Sequence, residues 1–195
     1  MGHSPFFITH NIIGKVWKQL GLNYILCDPP APAKSRPAIA KPINLWEQVP
    51  PKVRLKLQQQ YKPAYSLWVY PEYYLDILDP NPSDRKNLIL KILKALKWSQ
   101  SEYSFWPLFI LKEQKLVPDL EFFLFGLREI QPIYIFCFGP RCFNCLLPES
   151  SFEYGCFSYQ QTKLLALPDF DQLLRPENQK LKDLVWKTLL EYSPR

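Results

Sequence analysis

The sequence predicts an α/β fold: three layers, α/β/α, around a short four-stranded and mainly parallel sheet, preceded by an amphipathic helix and a proline-rich strap. Three observations predict it. Four short apolar runs, rich in aromatic and β-branched residues, recur between residues 65 and 167, and amphipathic stretches of helical length separate them. The 20 prolines, set against only 6 glycines, concentrate in one strap and at element boundaries. Strands alternating with helices of roughly 10–15 residues are the pattern of crossover units, which cover both faces of a parallel sheet.

In chain order, His10 to Leu20 sets Ile12, Ile13, Val16, Trp17 and Leu20 on one side and Lys15, Lys18 and Gln19 on the other, a short amphipathic helix ended by Gly21. Between Asp28 and Pro42 stand five of the 20 prolines, which withhold the N–H donors that helices and sheets need. The expected organisation is an arm over 1–27, a strap and connector over 28–64, and an α/β domain over 65–195. Within that domain, Ser66 to Tyr70 has the composition of a buried strand. Ser83 caps a helix with Asp84 near its positive end; Leu88, Ile89, Ile92, Leu93 and Leu96 form its inner stripe, while Arg85, Lys86, Lys91, Lys94 and Lys97 lie mostly off it.

Phe105 to Leu111 reads as a second strand, at an edge or a strand start because of Pro107. Pro118 and Asp119 open a helix through Leu127, packed by Leu120, Phe123, Leu124 and Leu127. Ile133 to Phe138 is the clearest strand, and Leu164 to Leu167 a weaker fourth. A last helix, about Glu177 to Tyr192, turns Leu181, Leu184, Val185, Leu189 and Trp186 inward.

A chain that is 47% hydrophobic and 15% aromatic buries a real core, which excludes wholesale disorder. No apolar run approaches the roughly 18 residues that span a bilayer, and Met1 to His10 has no basic n-region, so the cytoplasm is the default expectation. Neither G-x-G-x-x-G nor G-x-x-x-x-G-K-[ST] occurs, which excludes a P-loop hydrolase. A net charge of +6 points to an acidic partner, nucleic acid or protein.

Several residues admit two readings each. Glu72 and Asp76 follow the first strand, at the edge where open α/β sheets bind ligands; they activate a water or simply solvate a loop. Cys137, Cys142, Cys145 and Cys156 give C-x4-C-x2-C-x10-C. Of these, Cys142, Cys145 and Cys156 suit a structural zinc ion or an iron–sulfur cluster, against reduced cytosolic thiols. The basic series Arg85, Lys86, Lys91, Lys94 and Lys97 tracks phosphates or is an ordinary solvated helix face. Trp68 belongs in the core, whereas Tyr73 and Tyr74, in a loop beside a proline, suit an exposed recognition surface. The arm, through Ile13, Val16, Trp17 and Leu20, packs on its own domain or docks into a partner's groove.

Three segments together resemble the uracil-DNA glycosylase superfamily. Leu120 to Gly139 is similar to that family's helix running through a proline into an apolar strand ended by glycine, and Leu164 to Trp186 to its last strand, proline turn and closing helix. Leu67-Trp-Val-Tyr-Pro-Glu72 stands where the first catalytic motif would sit, and the resemblance covers about residues 65–192. It implies the fold, and for active members a flipped base, a positioned water and a histidine that stabilises the departing uracil anion. Here bulky Tyr70-Pro-Glu-Tyr-Tyr74 replaces the glycine-flanked first loop, Leu167-Pro-Asp169 replaces His-Pro-Ser, and the only histidines are His3 and His10. Val16-Trp-Lys-Gln-Leu-Gly-Leu22 also resembles the opening of the psi-subunit family of the bacterial clamp-loader assembly, a glycosylase-like fold without catalytic residues.

The resemblance implies a non-catalytic interaction module in DNA replication or repair. Its partners would be replication or repair proteins such as clamp-loader components, with weak DNA contact, no membrane and no cofactor. The alternatives are a divergent uracil-DNA glycosylase using Glu72 or Asp76, and a metal-stabilised nucleic-acid-binding protein.

Overall fold

In the computed structural model, Trp46 and residues 49–194 are described. The amphipathic arm with Ile13, Val16, Trp17 and Leu20, the proline strap, both histidines and Cys27 lie outside the described residues. The architecture is α/β: a mixed five-stranded sheet, a small antiparallel pair and seven helices among the described residues. In chain order these are α1 (Pro51–Gln60), β1 (Ser66–Val69), α2 (Tyr73–Leu78), α3 (Asp84–Leu96), β2 (Tyr103–Phe105), β3 (Phe109–Lys112) and β4 (Lys115–Pro118). They continue with α4 (Leu120–Ile130), β5 (Tyr134–Phe138), α5 (Pro140–Leu146), β6 (Gly155–Tyr159), β7 (Thr162–Leu167), α6 (Phe170–Leu174) and α7 (Gln179–Glu191).

The sheet runs β2-β1-β5-β7-β6. The first four strands are mutually parallel, with Trp68 paired to Phe105 on one side and Phe136 on the other; β6 closes the far edge antiparallel to β7. All four residues of β1 are buried, as expected of a central parallel strand covered on both faces. On one face Trp68 meets Trp98, Phe105, Phe136 and Phe138, and Phe170 of α6 stacks on Phe138 at 4.3 Å. On the other, Phe157 and Tyr159 of β6 contact Phe143 of α5 and Phe123 of α4.

Local chemistry sets the element ends. Ser83 Oγ accepts from Lys86 N at 3.2 Å and starts α3, which stops at Lys97 in the left-handed region (φ 56°). Asp119 Oδ1 accepts from Phe122 N at 3.0 Å and starts α4. Within α4, Gly126 lets the Trp106 indole lie flush on the helix: a Cβ there would stand 2.1 Å from the ring. The same indole donates Nε1–H to the Phe122 carbonyl at 2.9 Å and is fully buried.

That insertion corrects the strand expected over 105–111. Trp106 and Pro107 leave the sheet, so only Tyr103–Phe105 pairs with β1, while Phe109–Lys112 folds back onto Lys115–Pro118. The two-residue turn between them holds Glu113 and Gln114 at φ 48° and 62°, the left-handed pair a tight hairpin requires. The sheet also gains β6, a fifth strand beyond the four expected. The connector expected over 28–64 contains α1, with Pro51 in its first turn and Val53 and Leu57 fully buried. Trp186, expected inward, is 38% exposed: α7 buries Val185 and Leu189 at i, i+4 spacing, which rotates Trp186 and Leu190 outward. Among the described residues, no helix is long and apolar enough to cross a membrane.

Candidate functional site

The order β2-β1-β5 means the chain leaves β1 to one side and later returns on the other, so the carboxyl ends of β1 and β5 form the switch point where ligands bind in open α/β sheets. β1 delivers Tyr70, Pro71 and Glu72 to this edge, and Asp76 follows one turn into α2. Both expected carboxylates are therefore here, but neither is a loop group free in solvent. Asp76 is held three ways. Its Oδ2 accepts from the Tyr70 hydroxyl at 2.9 Å and from Arg85 Nε at 3.0 Å, and its Oδ1 from Arg85 Nη2 at 2.8 Å. The Asp76 and Arg85 side chains are only 8% and 17% exposed. Such a bidentate pair fixes both groups, and both carboxylate oxygens already accept hydrogen bonds from within the chain.

Glu72 sits 3.9 Å from the same guanidinium. Burial pushes its carboxyl above the ordinary range, with nearby Asp171 adding to the rise, while its backbone hydrogen bond and the positive charges of Arg85 and Arg141 oppose it. Burial and the Asp76 charge together raise the Tyr70 hydroxyl, which therefore donates rather than ionises.

Aromatic rings occupy the space above these groups. Phe170 stacks on Phe138 and meets Tyr70 edge-on at 5.2 Å, and Tyr70 meets Tyr73 at 5.5 Å. β5 ends at Gly139, whose φ of 88° suits glycine and whose N–H donates to the Leu167 carbonyl at 2.9 Å. A Cβ at Gly139 would stand 2.9 Å from the Cβ of Asp169, so the chain ends of β5 and β7 close on one another. Asp169 accepts from Gln172 N at 2.7 Å and caps α6. No histidine lies among the described residues.

Two expected site assignments change, and the alternative metal set is not brought together. Tyr73 and Tyr74 are buried, at 5% and 2% exposure, not on a recognition surface. The Tyr73 ring stacks on Phe105 at 5.5 Å, its hydroxyl donates to Gln60 Oε1 of α1, and burial raises both tyrosine hydroxyls. The basic series also divides. Arg85 turns inward to Asp76, and Lys86 donates from Nζ to the carbonyls of Asp79 at 2.5 Å and Asn81 at 2.9 Å, which leaves Lys91, Lys94 and Lys97 exposed. Cys142, Cys145 and Cys156 are not gathered: the first two share α5, the third is exposed on β6, and the described residues hold no cluster of three groups suited to a metal ion. Cys142 is fully buried and hydrogen-bonded to Cys137, and burial raises its thiol well above the ordinary value, the state of an unreactive thiol.

A cleft of about 660 Å3 opens at the β2 side of this edge, between α1 and α3 and floored by α2 and β2. Its α1 wall falls within the strap and connector expected over 28–64, although Val53 and Leu57 at i, i+4 behind Pro50 and Pro51 carry the signal of a helix. The chain matches no family model, and no curated protein matches it in sequence.

Proposed function

We propose that this chain is a non-catalytic interaction module with a glycosylase-like fold, acting in DNA replication or repair in the manner of a clamp-loader accessory subunit. One observation carries the non-catalytic part of this reading: at the switch point, where a glycosylase would seat a flipped base, Phe170 and Tyr70 fill the space and Arg85 and Tyr70 occupy the Asp76 carboxylate. The parallel run β2-β1-β5-β7 is in keeping with the four-stranded layout the resemblance implies. In this reading the arm, through Ile13, Val16, Trp17 and Leu20, engages one protein and the domain another, with Lys91, Lys94 and Lys97 giving weak contact to DNA.

Affinity capture from the native cell, with the full chain and with a chain lacking residues 1–42, tests it. Recovery of replication or repair proteins, clamp-loader components among them, with at least one lost on removing the arm, is the expected result; recovery of none overturns the reading.

The divergent glycosylase stays in view on one observation, the burial-raised carboxyl of Glu72, since a general base is often tuned upward in this way. Incubation with uracil-containing single- and double-stranded DNA should give no alkali-labile sites. Sites that appear with the natural chain and vanish with Glu72→Gln would replace the proposal by that enzyme.

A further inference from the structure

The cleft between α1 and α3 adjoins the switch point and is lined in part by the same Tyr70, Tyr73 and Asp76. Leu55 on α1 and Leu90 on α3 line it, each 64% exposed, above a floor that includes Ile77, Ile89 and Phe105. Leucines this exposed on facing walls have no role in the folded chain's own core, and together they form an apolar track rather than scattered surface residues.

Lysines flank the exposed leucine on both walls. On α1, Leu55 lies between Lys52 and Lys56, with Lys52 one turn before Lys56; on α3, Leu90 has Lys86 one turn before it and Lys94 one turn after. Lys52 and Lys86 are held at the rim by carbonyls near the end of α2, those of Leu78 at 2.7 Å and Asp79 at 2.5 Å. Of the two carboxylates on the lining, Asp76 is neutralised by Arg85, which leaves Asp79 against three lysines on the lining and a fourth at Lys94.

We infer that this cleft takes an acidic amphipathic helix of a partner protein, its apolar side laid between Leu55 and Leu90 and its carboxylates against the flanking lysines. The inference rests on the reading of the chain as an interaction module and names the chemistry of what the domain engages. α1 is ten residues long, about 15 Å of wall, enough for roughly three turns of a bound helix with anchors at i, i+3, i+4 and i+7. Charge selects this occupant over the others at hand. The chain's own arm would bring Lys15 and Lys18 onto the lysine rim, and a second copy of a chain with net charge +6 would meet the same repulsion. A nucleic-acid backbone would satisfy the lysines but leave both leucines uncovered.

The test titrates the full-length chain against a labelled three-turn peptide with leucines at i, i+3, i+4 and i+7 and glutamates elsewhere, beside its twin with lysines for glutamates and a single-stranded oligothymidine. The acidic peptide should bind at least about tenfold more tightly than its twin, and Leu55→Ser with Leu90→Ser should weaken it by a similar factor. Lys56→Glu with Lys94→Glu should reverse the preference in favour of the lysine twin, a result that no loss of fold would give. Equal affinity for the two peptides, no effect of the leucine pair, or oligothymidine displacing the peptide from the same residues would each overturn the inference. Each of those failures leaves the capture of replication or repair proteins untouched, and a failed capture leaves the titration untouched.

Discussion

Two neighbouring surfaces of one domain have been treated in opposite ways. At the carboxyl edge of β1, β5 and β7, Glu72 keeps about a third of its side chain in water, but the other polar groups are answered from within the chain. Asp76 is held by Arg85 and Tyr70, Asp169 caps the first turn of α6, and Phe170 packs on Tyr70 and Phe138 beside them. Across α2, in the cleft between α1 and α3, two leucines stand 64% exposed and lysines outnumber carboxylates. A surface kept for catalysis needs unsatisfied groups held in place by a rigid frame, and a docking surface needs uncovered apolar area with a charged rim. The first of these surfaces has the rigid frame with Glu72 as a partly exposed carboxylate, and the second has the uncovered area and the rim.

The largest test of that contrast is Phe170→Ala. The ring is 2% exposed and packs on Phe138 and Tyr70, so its removal leaves a cavity under the switch point and should cost about 3–5 kcal/mol in urea unfolding. A loss below about 1 kcal/mol would mean that the edge tolerates a ring-sized void, and the claim that it is filled for stability would fail.

Arg85→Ala comes next. It strands the Asp76 carboxylate, 8% exposed, with only the Tyr70 hydroxyl, and should cost about 2–3 kcal/mol, less than the roughly 3–5 of a fully buried pair because Arg85 keeps some contact with water. Removing both partners together, with Asp76→Ala, should recover part of the loss; simple additivity of the two single changes would show that the pair is not coupled. By contrast Leu55→Ser and Leu90→Ser in the cleft should each stay within about 0.5 kcal/mol, as exposed positions do.

How much of this was legible in the sequence follows from how local each cause is. α3 and α4 carry their own starts, Ser83 and Asp119, and their own apolar stripes, so a reading of the chain finds them. β1 and β5 are apolar runs that need no partner to be recognised. The hairpin β3–β4 was hidden because its turn is Glu113-Gln114, without the glycine or asparagine that normally marks left-handed residues. β6 was hidden because Gly155 to Tyr159 is a largely exposed edge strand rather than a continuous apolar run, and its pairing with β7 is made by a second glycine-free turn at Gln160. The candidate carboxylates were placed correctly at the end of β1, but not their state. Arg85 reaches Asp76 from across a proline-rich turn, and Tyr73 is buried by Phe105 and Gln60, contacts that no spacing in the chain announces.

The smallest expected effect is the one that separates the two carboxylates at the filled edge. Burial raises the Glu72 carboxyl above its unfolded value, so the folded chain binds that proton more tightly than the unfolded chain does. The consequence for stability has a definite sign. Above the folded value the ionised, partly buried carboxylate costs the fold; as pH drops through that value the cost fades, and below the unfolded value both states are protonated and it has gone. Glu72→Gln removes the ionisation and should therefore stabilise the chain slightly at pH 7, within about 0.5 kcal/mol because Glu72 keeps a third of its side chain in water beside Arg85. At pH 3.5 variant and natural chain should unfold alike, by paired urea curves. A variant less stable than the natural chain at pH 7 would mean that the 3.9 Å contact with Arg85 outweighs burial, making Glu72 a second anchor for the guanidinium rather than a carboxyl held against its preference.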